Sequence, residues 1–202
     1  MDRKKYVIAI SGFSGSGKST ITKKIAKSFN DSTFIMFDDY QEQTSYPKEM
    51  FTGNSKEISM DKLESNCFFN DLDELIDDKD IIYSKHRKIN TAKFIIIDWN
   101  FGRSHYRVSK SIDKVFFVDV PLDIALSRKI LRNIDVDLKN KKPDDKIDII
   151  KSNLTMYLKG FRSANIKIYE KVKNDSDIIL DGTKTIDELS NKIIEELKKL
   201  EG

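Results

Sequence analysis

The run Gly12-Phe13-Ser14-Gly15-Ser16-Gly17-Lys18-Ser19-Thr20 constrains this chain more than any other stretch of it. Its glycines let the backbone curl where a Cβ would obstruct it. Ahead of it, Tyr6-Val7-Ile8-Ala9-Ile10 is an apolar, β-rich stretch that reads as a buried strand. Behind it, Ile21, Ile25, Ala26 and Phe29 recur at helical spacing. A glycine-rich turn thus leads from a strand into a helix N-terminus, where free backbone N–H groups attract anions. The spacing is G-x-x-x-x-G-K-[ST], the P-loop pattern. Its chemistry assigns a nucleotide triphosphate to Gly12, Ser14, Gly15, Ser16, Gly17, Lys18, Ser19 and Thr20. Lys18 reaches the β- and γ-phosphates, and the Ser19 hydroxyl holds Mg²⁺.

A chain of 202 residues suits one domain spanning 1–202, large enough to bury a proper core. Its 36 basic and 33 acidic residues leave a net charge of +3, too even a balance to support a nucleic-acid partner. Cys67 is the only cysteine, which rules out an internal disulfide and fits a reducing compartment. No apolar run approaches the roughly 20 residues of a membrane span. The N-terminal residues pass straight into a strand, so no removable leader is expected. These features predict a cytoplasmic enzyme with no membrane partner, and leave room for a homo-oligomer.

Further along, Thr33-Phe34-Ile35-Met36-Phe37 reads as a second buried strand ending at Asp38-Asp39-Tyr40. In open α/β sheets, strand ends beside the phosphate loop face the ligand crevice, which makes Asp38 and Asp39 candidates. Residues 41–59 form a long polar loop of the kind that usually serves function or moves. A helix follows with Leu63, Cys67, Phe68, Leu72, Leu75 and Ile76 on one stripe, placing Cys67 in the core. Residues 80–83 and 87–90 predict two short strands of a flap with His86 between them. Phe94-Ile95-Ile96-Ile97-Asp98 is a Walker-B strand, its terminal acid a ligand to Mg²⁺. Beside the same crevice, Trp99 and Phe101 either pack on a planar ligand or fill core. Residues 115–120 predict a fourth large strand, and Pro121 suits the first turn of the next helix. Arg128 and Arg132 share a face of that helix at i, i+4 spacing. Residues 133–146 are almost wholly charged and read as a lid or an exposed linker. A long helix is expected over about 144–172, weakened at Gly160. After a fifth large strand at 177–180, Thr185-Ile186-Asp187-Glu188 makes a capping box for the last helix. Strands alternating with helices imply an α/β fold, a parallel sheet with helices on both faces.

The phosphate loop does not by itself say how the nucleotide is used. Neither Asn140-Lys141-Lys142-Pro143 nor Asn191-Lys192-Ile193-Ile194 carries the closing Asp of a guanine-reading motif. The Leu-Ser-Gly-Gly-Gln run of ABC-type ATPases is absent too. Small size, acids after the second strand, and a basic helix with a lid suggest a small-molecule kinase, whose donor must be shielded from water.

Through the P-loop, Phe37-Asp38-Asp39-Tyr40, the stretch from Ile97 to Arg103, and Val118-Asp119-Val120-Pro121 onward to Asn133, the chain resembles the uridine kinase branch of P-loop kinases. Nicotinamide riboside kinase, phosphoribulokinase and bacterial pantothenate kinase are relatives of that branch. The resemblance implies a P-loop NTPase three-layer sandwich with five parallel strands in the order 2-3-1-4-5 and a small lid. It also implies transfer of the γ-phosphoryl of ATP, with Mg²⁺, to the 5′-hydroxyl of a uridine- or cytidine-type nucleoside. The alternatives are a kinase for another small alcohol, such as nicotinamide riboside or pantothenate, or a non-kinase ATPase switch. By the same resemblance Asp38 takes the hydroxyl proton and Arg128 faces phosphate, with Arg132 assigned to the nucleotide. Tyr83 and His86 read the base, and Asp39, Tyr40 and Arg103 fall on the acceptor side. The chain departs from the family's usual Asp-Ser-Phe-Tyr at Asp38-Asp39-Tyr40, and from its Glu-Gly at Asp98-Trp99. It lacks the family's Arg-Gly-Arg in the lid, where Lys139, Lys141 or Lys142 would substitute.

Overall fold

The computed structural model describes residues 5–52, 58–83 and 87–201. In chain order the strands are β1 (Tyr6–Gly12), β2 (Ser32–Met36), β3 (Ile81–Tyr83), β4 (Arg87–Ile89), β5 (Phe94–Asp98), β6 (Ile112–Asp119) and β7 (Ile178–Asp181). The α-helices are α1 (Lys18–Ser28), α2 (Glu49–Thr52), α3 (Asn66–Ile76), α4 (Tyr106–Ser109), α5 (Leu122–Arg132), α6 (Pro143–Met156), α7 (Arg162–Asn174) and α8 (Ile186–Lys198).

Five strands pair in parallel in the order β2-β5-β1-β6-β7, while β3 and β4 form a separate antiparallel hairpin. Counted among the strands of the sheet alone, that order is the expected 2-3-1-4-5, with the strand before the glycine turn at its centre. The apolar runs explain the layering. A strand alternates its side chains between two faces, and a parallel sheet buries both. Val7 and Ala9 of β1, with Ile95 and Ile97 of β5, pack on one face against Phe68, Leu72 and Leu75 of α3 and Ile168 and Val172 of α7. Ile8, Ile10, Phe94 and Ile96 pack on the other against Ile21 and Ile25 of α1 and Leu189, Ile193 and Leu197 of α8.

Trp99 fills core. It is fully buried, stacks on Phe68 with 5.1 Å between ring centroids, and donates its indole N–H to the Gly102 carbonyl at 2.9 Å. Cys67 does not follow the expected stripe, because α3 begins only at Asn66 and turns Phe68, Phe69, Leu72 and Leu75 inward, leaving Cys67 exposed. Leu63 joins the core from the preceding segment.

The expected long helix is α6 and α7 joined by a π-helical turn, Tyr157–Phe161, around the buried Gly160. A second π-helical turn, Asn133–Asp137, prolongs α5, so the expected lid is partly helical. Thr185 and Glu188 complete the capping box, with Glu188 N donating to Thr185 Oγ1 at 3.2 Å and Thr185 N to Glu188 Oε2 at 2.9 Å. Among the described residues no helix is long and apolar enough to cross a membrane.

Candidate active site

The glycine turn closes on two neighbouring elements. Gly12 has φ +142°, and a Cβ there would stand 2.6 Å from the Val118 carbonyl oxygen of β6. Gly15 has φ +91°, and its Cβ would meet the Ala125 carbonyl of α5. Only glycine permits both the backbone conformation and the close approach. The loop is thereby pressed against α5, and the cations of α5 are brought over the glycine turn.

Lys18 opens α1 and is 6% exposed, its ammonium donating to the Phe13 carbonyl at 3.0 Å. Burial holds its pKa below the ordinary range, against the opposing pull of the Asp98 and Asp38 carboxylates. Ser19 donates to Asp98 Oδ2 at 2.5 Å. The β1–β5 register, with Ile10 beside Asp98, sets that carboxylate next to the start of the loop. Asp98 is itself buried, which raises its pKa against Lys18 and the Ser19 hydrogen bond. A hydroxyl and a carboxylate are the hard oxygen donors that Mg²⁺ takes. No group of three or more His, Cys, Asp or Glu side chains among the described residues forms a fuller cage.

A cavity of about 220 Å³ lies over the loop and is closed by Arg128, Lys129 and Arg132 of α5, with Asp38 and Asn100 opposite. Arg128 also donates to the Gly182 carbonyl at 3.1 Å, tying α5 to the segment after β7. Lys129 is a site residue that the spacing of Arg128 and Arg132 does not mark. Burial lowers its pKa, and so does Arg132, while Asp38 raises it. The signal lies at positions 125, 128, 129 and 132, which share one helical face.

Asp38 lies in a 3-10 turn, Phe37–Gln43, whose period turns Phe37 and Tyr40 into the core and leaves Asp38 at the crevice. Asp39 beside it is exposed and lines neither the phosphate cavity nor the larger cleft adjoining it. Tyr40 does not face an acceptor. It is buried, and its hydroxyl donates to Asp71 Oδ2 at 2.6 Å. Arg103 is also elsewhere. It donates to the Asp175 carbonyl at 3.0 Å and to Asp177 Oδ2 at 2.7 Å, at the start of β7 and so at the opposite end of the sheet from the loop. Asp177 Oδ2 accepts from Val115 N as well, which makes Arg103 a clamp on the sheet. Tyr83 belongs to β3, with its side chain outside the described residues, as is the whole of His86.

The adjoining cleft has a volume of about 520 Å³. Its walls include Phe13, Tyr46, Phe51, Phe161 and Tyr169, with Gln41, Asn100 and Asn165 as neutral polar groups. Tyr46 donates to Gln41 Oε1 at 2.8 Å, and burial pushes its pKa up to about 12. Ser14, Asp38, Asn100, Lys129 and Arg132 line both cavities. The aromatic wall comes from segments distant in sequence, and no local motif marks it. A third hollow of about 710 Å³ runs along α1 past Lys23, Lys24 and Lys27.

No protein-family model matches the chain. Curated relatives match it along most of its length. It is 25% identical over 191 residues to the uridine kinase of Clostridium botulinum (strain Kyoto / Type A2), covering 88% of each chain. It is 27% identical over 186 residues to the uridine kinase of Borrelia duttonii (strain Ly), covering 86% of this chain and 85% of the relative. Among solved structures, a protein described as a fructose transport system kinase from Silicibacter sp. TM1040 matches with a TM-score of 0.55 at 16% identity, covering 88% of this chain and 90% of that one. A protein described as a possible uridine kinase from Bacillus stearothermophilus matches with a TM-score of 0.52 at 12% identity, covering 90% and 91%. With a P-loop on the central strand of a 2-3-1-4-5 sheet and relatives that match it over most of its length, the chain has the fold of the P-loop kinases and resembles the uridine kinases among them.

Proposed function

We propose that this protein transfers the γ-phosphoryl group of ATP to an alcohol bound in the 520 Å³ cleft, and that the alcohol is the 5′-hydroxyl of a uridine- or cytidine-type nucleoside. One observation carries the reading. Asp38 stands where the phosphate cavity and the cleft meet, the only carboxylate among the described residues to line both. That is the position of a group that must touch an acceptor hydroxyl while facing the phosphoryl group it attacks.

Asp38 orients the hydroxyl and accepts its proton as the new O–P bond forms. Lys18, Arg128, Lys129 and Arg132 surround the phosphate cavity and offset the charge spread over the transferring group. Ser19 and Asp98 would hold Mg²⁺, which, when bound, neutralises phosphate charge. The aromatic walls keep water from the reacting oxygen, so that phosphate passes to the alcohol rather than to solvent. The names of the curated relatives support the nucleoside as acceptor.

The test is incubation with ATP and Mg²⁺ against uridine, cytidine, nicotinamide riboside and pantothenate, with mass spectrometry of the products. A new uridine or cytidine monophosphate is the expected result. ATP consumed equally with and without acceptors, and no phosphorylated product, would refute the kinase reading. Product from pantothenate or nicotinamide riboside alone would refute the nucleoside assignment and keep the kinase.

A further inference from the structure

The cleft carries its charges at one end only. Of its described lining residues, Asp38, Lys129 and Arg132 are charged, and all three also line the phosphate cavity. The remainder is aromatic, aliphatic or neutral and polar. An acceptor bearing a carboxylate away from its reacting hydroxyl would lose its water there and find no cation among the described lining residues in exchange.

Among these uncharged residues, Tyr169 of α7 is out of balance. It is 6% exposed, and its ring packs on Phe13 of the phosphate loop with centroids 4.0 Å apart. Its hydroxyl has no hydrogen-bond partner among the described residues. The oxygen is not sealed in the core like the Ser16, Thr22 and Ser190 hydroxyls, so a molecule in the cleft can reach it. The ring lines the cleft, and burial first, then the Tyr46 phenol and the carboxylates of Asp38 and Asp98, hold the hydroxyl in its protonated, uncharged form. One turn earlier on the same helix, at i−4, half-buried Asn165 lines the same cleft with no side-chain hydrogen bond to a described residue. Asn100, two residues after the Walker-B acid, also lines the cleft and is in the same condition. Three neutral groups, each able to donate and accept, line one cleft without hydrogen-bonding one another.

We infer that Tyr169 and Asn165 of α7, with Asn100, read the acceptor by neutral hydrogen bonds, so that the cleft takes uncharged ring alcohols and excludes carboxylate-bearing ones. This rests on the reading of the cleft as the acceptor site. The specificity element is then α7 and the π-helical turn before it, whose Phe161 completes the wall. Tyr169 stays neutral and takes no proton in the transfer, so it governs acceptor affinity and not the chemical step.

Titration calorimetry on the full chain, loaded with a non-hydrolysable ATP analogue, tests the inference with uridine, cytidine, D-fructose and pantothenate as probes. At least one of the three uncharged probes should bind, and pantothenate should bind at least about tenfold more weakly than the best of them. Tyr169→Phe removes a single oxygen and should weaken that best probe at least about tenfold, with ATP-analogue affinity unchanged. Its thermal midpoint without ligand should hold or rise, because the hydroxyl has no partner to lose; a purely structural tyrosine would lower it. Asn165→Ala, on the other turn of α7, should act in the same direction. No binding of any uncharged probe, pantothenate binding as tightly as the best, or unchanged affinity in Tyr169→Phe would each overturn the inference. Phosphoryl transfer is scored apart. A chain that binds uridine through Tyr169 yet forms no monophosphate refutes the kinase and leaves this recognition standing. A chain that forms it with an unaltered KM in Tyr169→Phe does the reverse.

Discussion

Lys18 and Asp98 are both buried, one at the start of α1 and the other at the end of β5. Burial disfavours the charge on each, and their mutual attraction only partly offsets it. For Lys18 this gives a pH dependence of known sign. Its folded pKa lies below the ordinary 10.5, so between the two values the unfolded chain holds the proton more readily, and stability rises with pH through that interval. Lys18→Met should abolish the effect and, on the proposed function, phosphoryl transfer with it. Denaturant unfolding of both proteins between about pH 7 and 10 should show the stability difference moving in favour of the wild type as pH climbs. A difference that stays constant would place the lysine outside the buried pocket. Asp38 makes the second prediction at this scale. Asp38→Asn keeps the shape but cannot take a proton, and should lower kcat by about 10²–10⁴-fold with little change in the KM for ATP. Asp39→Asn should stay near wild type, since Asp39 lines neither cavity. Steady-state kinetics on the two variants decide it, and a collapse confined to Asp39→Asn would reverse the assignment.

Two short elements do most of the positioning. The loop from Gly12 to Gly17 can press on α5 only because position 15 carries no Cβ. Gly15→Ala meets the Ala125 carbonyl and a left-handed φ of +91° together. The backbone strain alone is about 1–3 kcal/mol. The variant should melt lower and lose ATP affinity, as followed by calorimetry and thermal unfolding. A variant with wild-type ATP affinity would mean the loop does not need this approach. The second element is the 3-10 turn after β2. With about three residues per turn it buries Phe37 and Tyr40 and leaves Asp38 outside, which is why two adjacent acids have different surroundings. A regular continuation of the strand would instead have alternated the side chains and put Asp38 and Tyr40 on the same face. In α3 the comparable shift is of one position. Starting the helix at Asn66 exposes Cys67 and buries Phe69.

At the scale of the whole molecule, α6 stands apart from the layers. It buries none of its 14 residues, and a π-helical turn precedes α7 at its far end. A helix of this length gains little stability without packing. Backbone amides across residues 138–156 should therefore exchange quickly in the free protein and slow when an ATP analogue and acceptor are added. Slow exchange that ligands leave unchanged would count against closure of this segment. What could be read from the residues alone was local. The glycine turn, the Walker-B acid and the capping box each depend on a few neighbours in sequence and on backbone rules that hold in any fold. The parallel sheet followed from alternation, and its order came from family resemblance. The rest depended on residues far apart in the chain. Whether Arg103 met an acceptor or Asp177, whether Trp99 met a ligand or Phe68, and which groups joined Asp38 in the cleft were matters of packing. Tyr46, Asn100, Asn165 and Tyr169 have no shared motif, because only the closing of α7 over the loop makes them neighbours. Sequence spacing determines which side chains share a face of one element, but the burial of two elements against each other determines which faces meet.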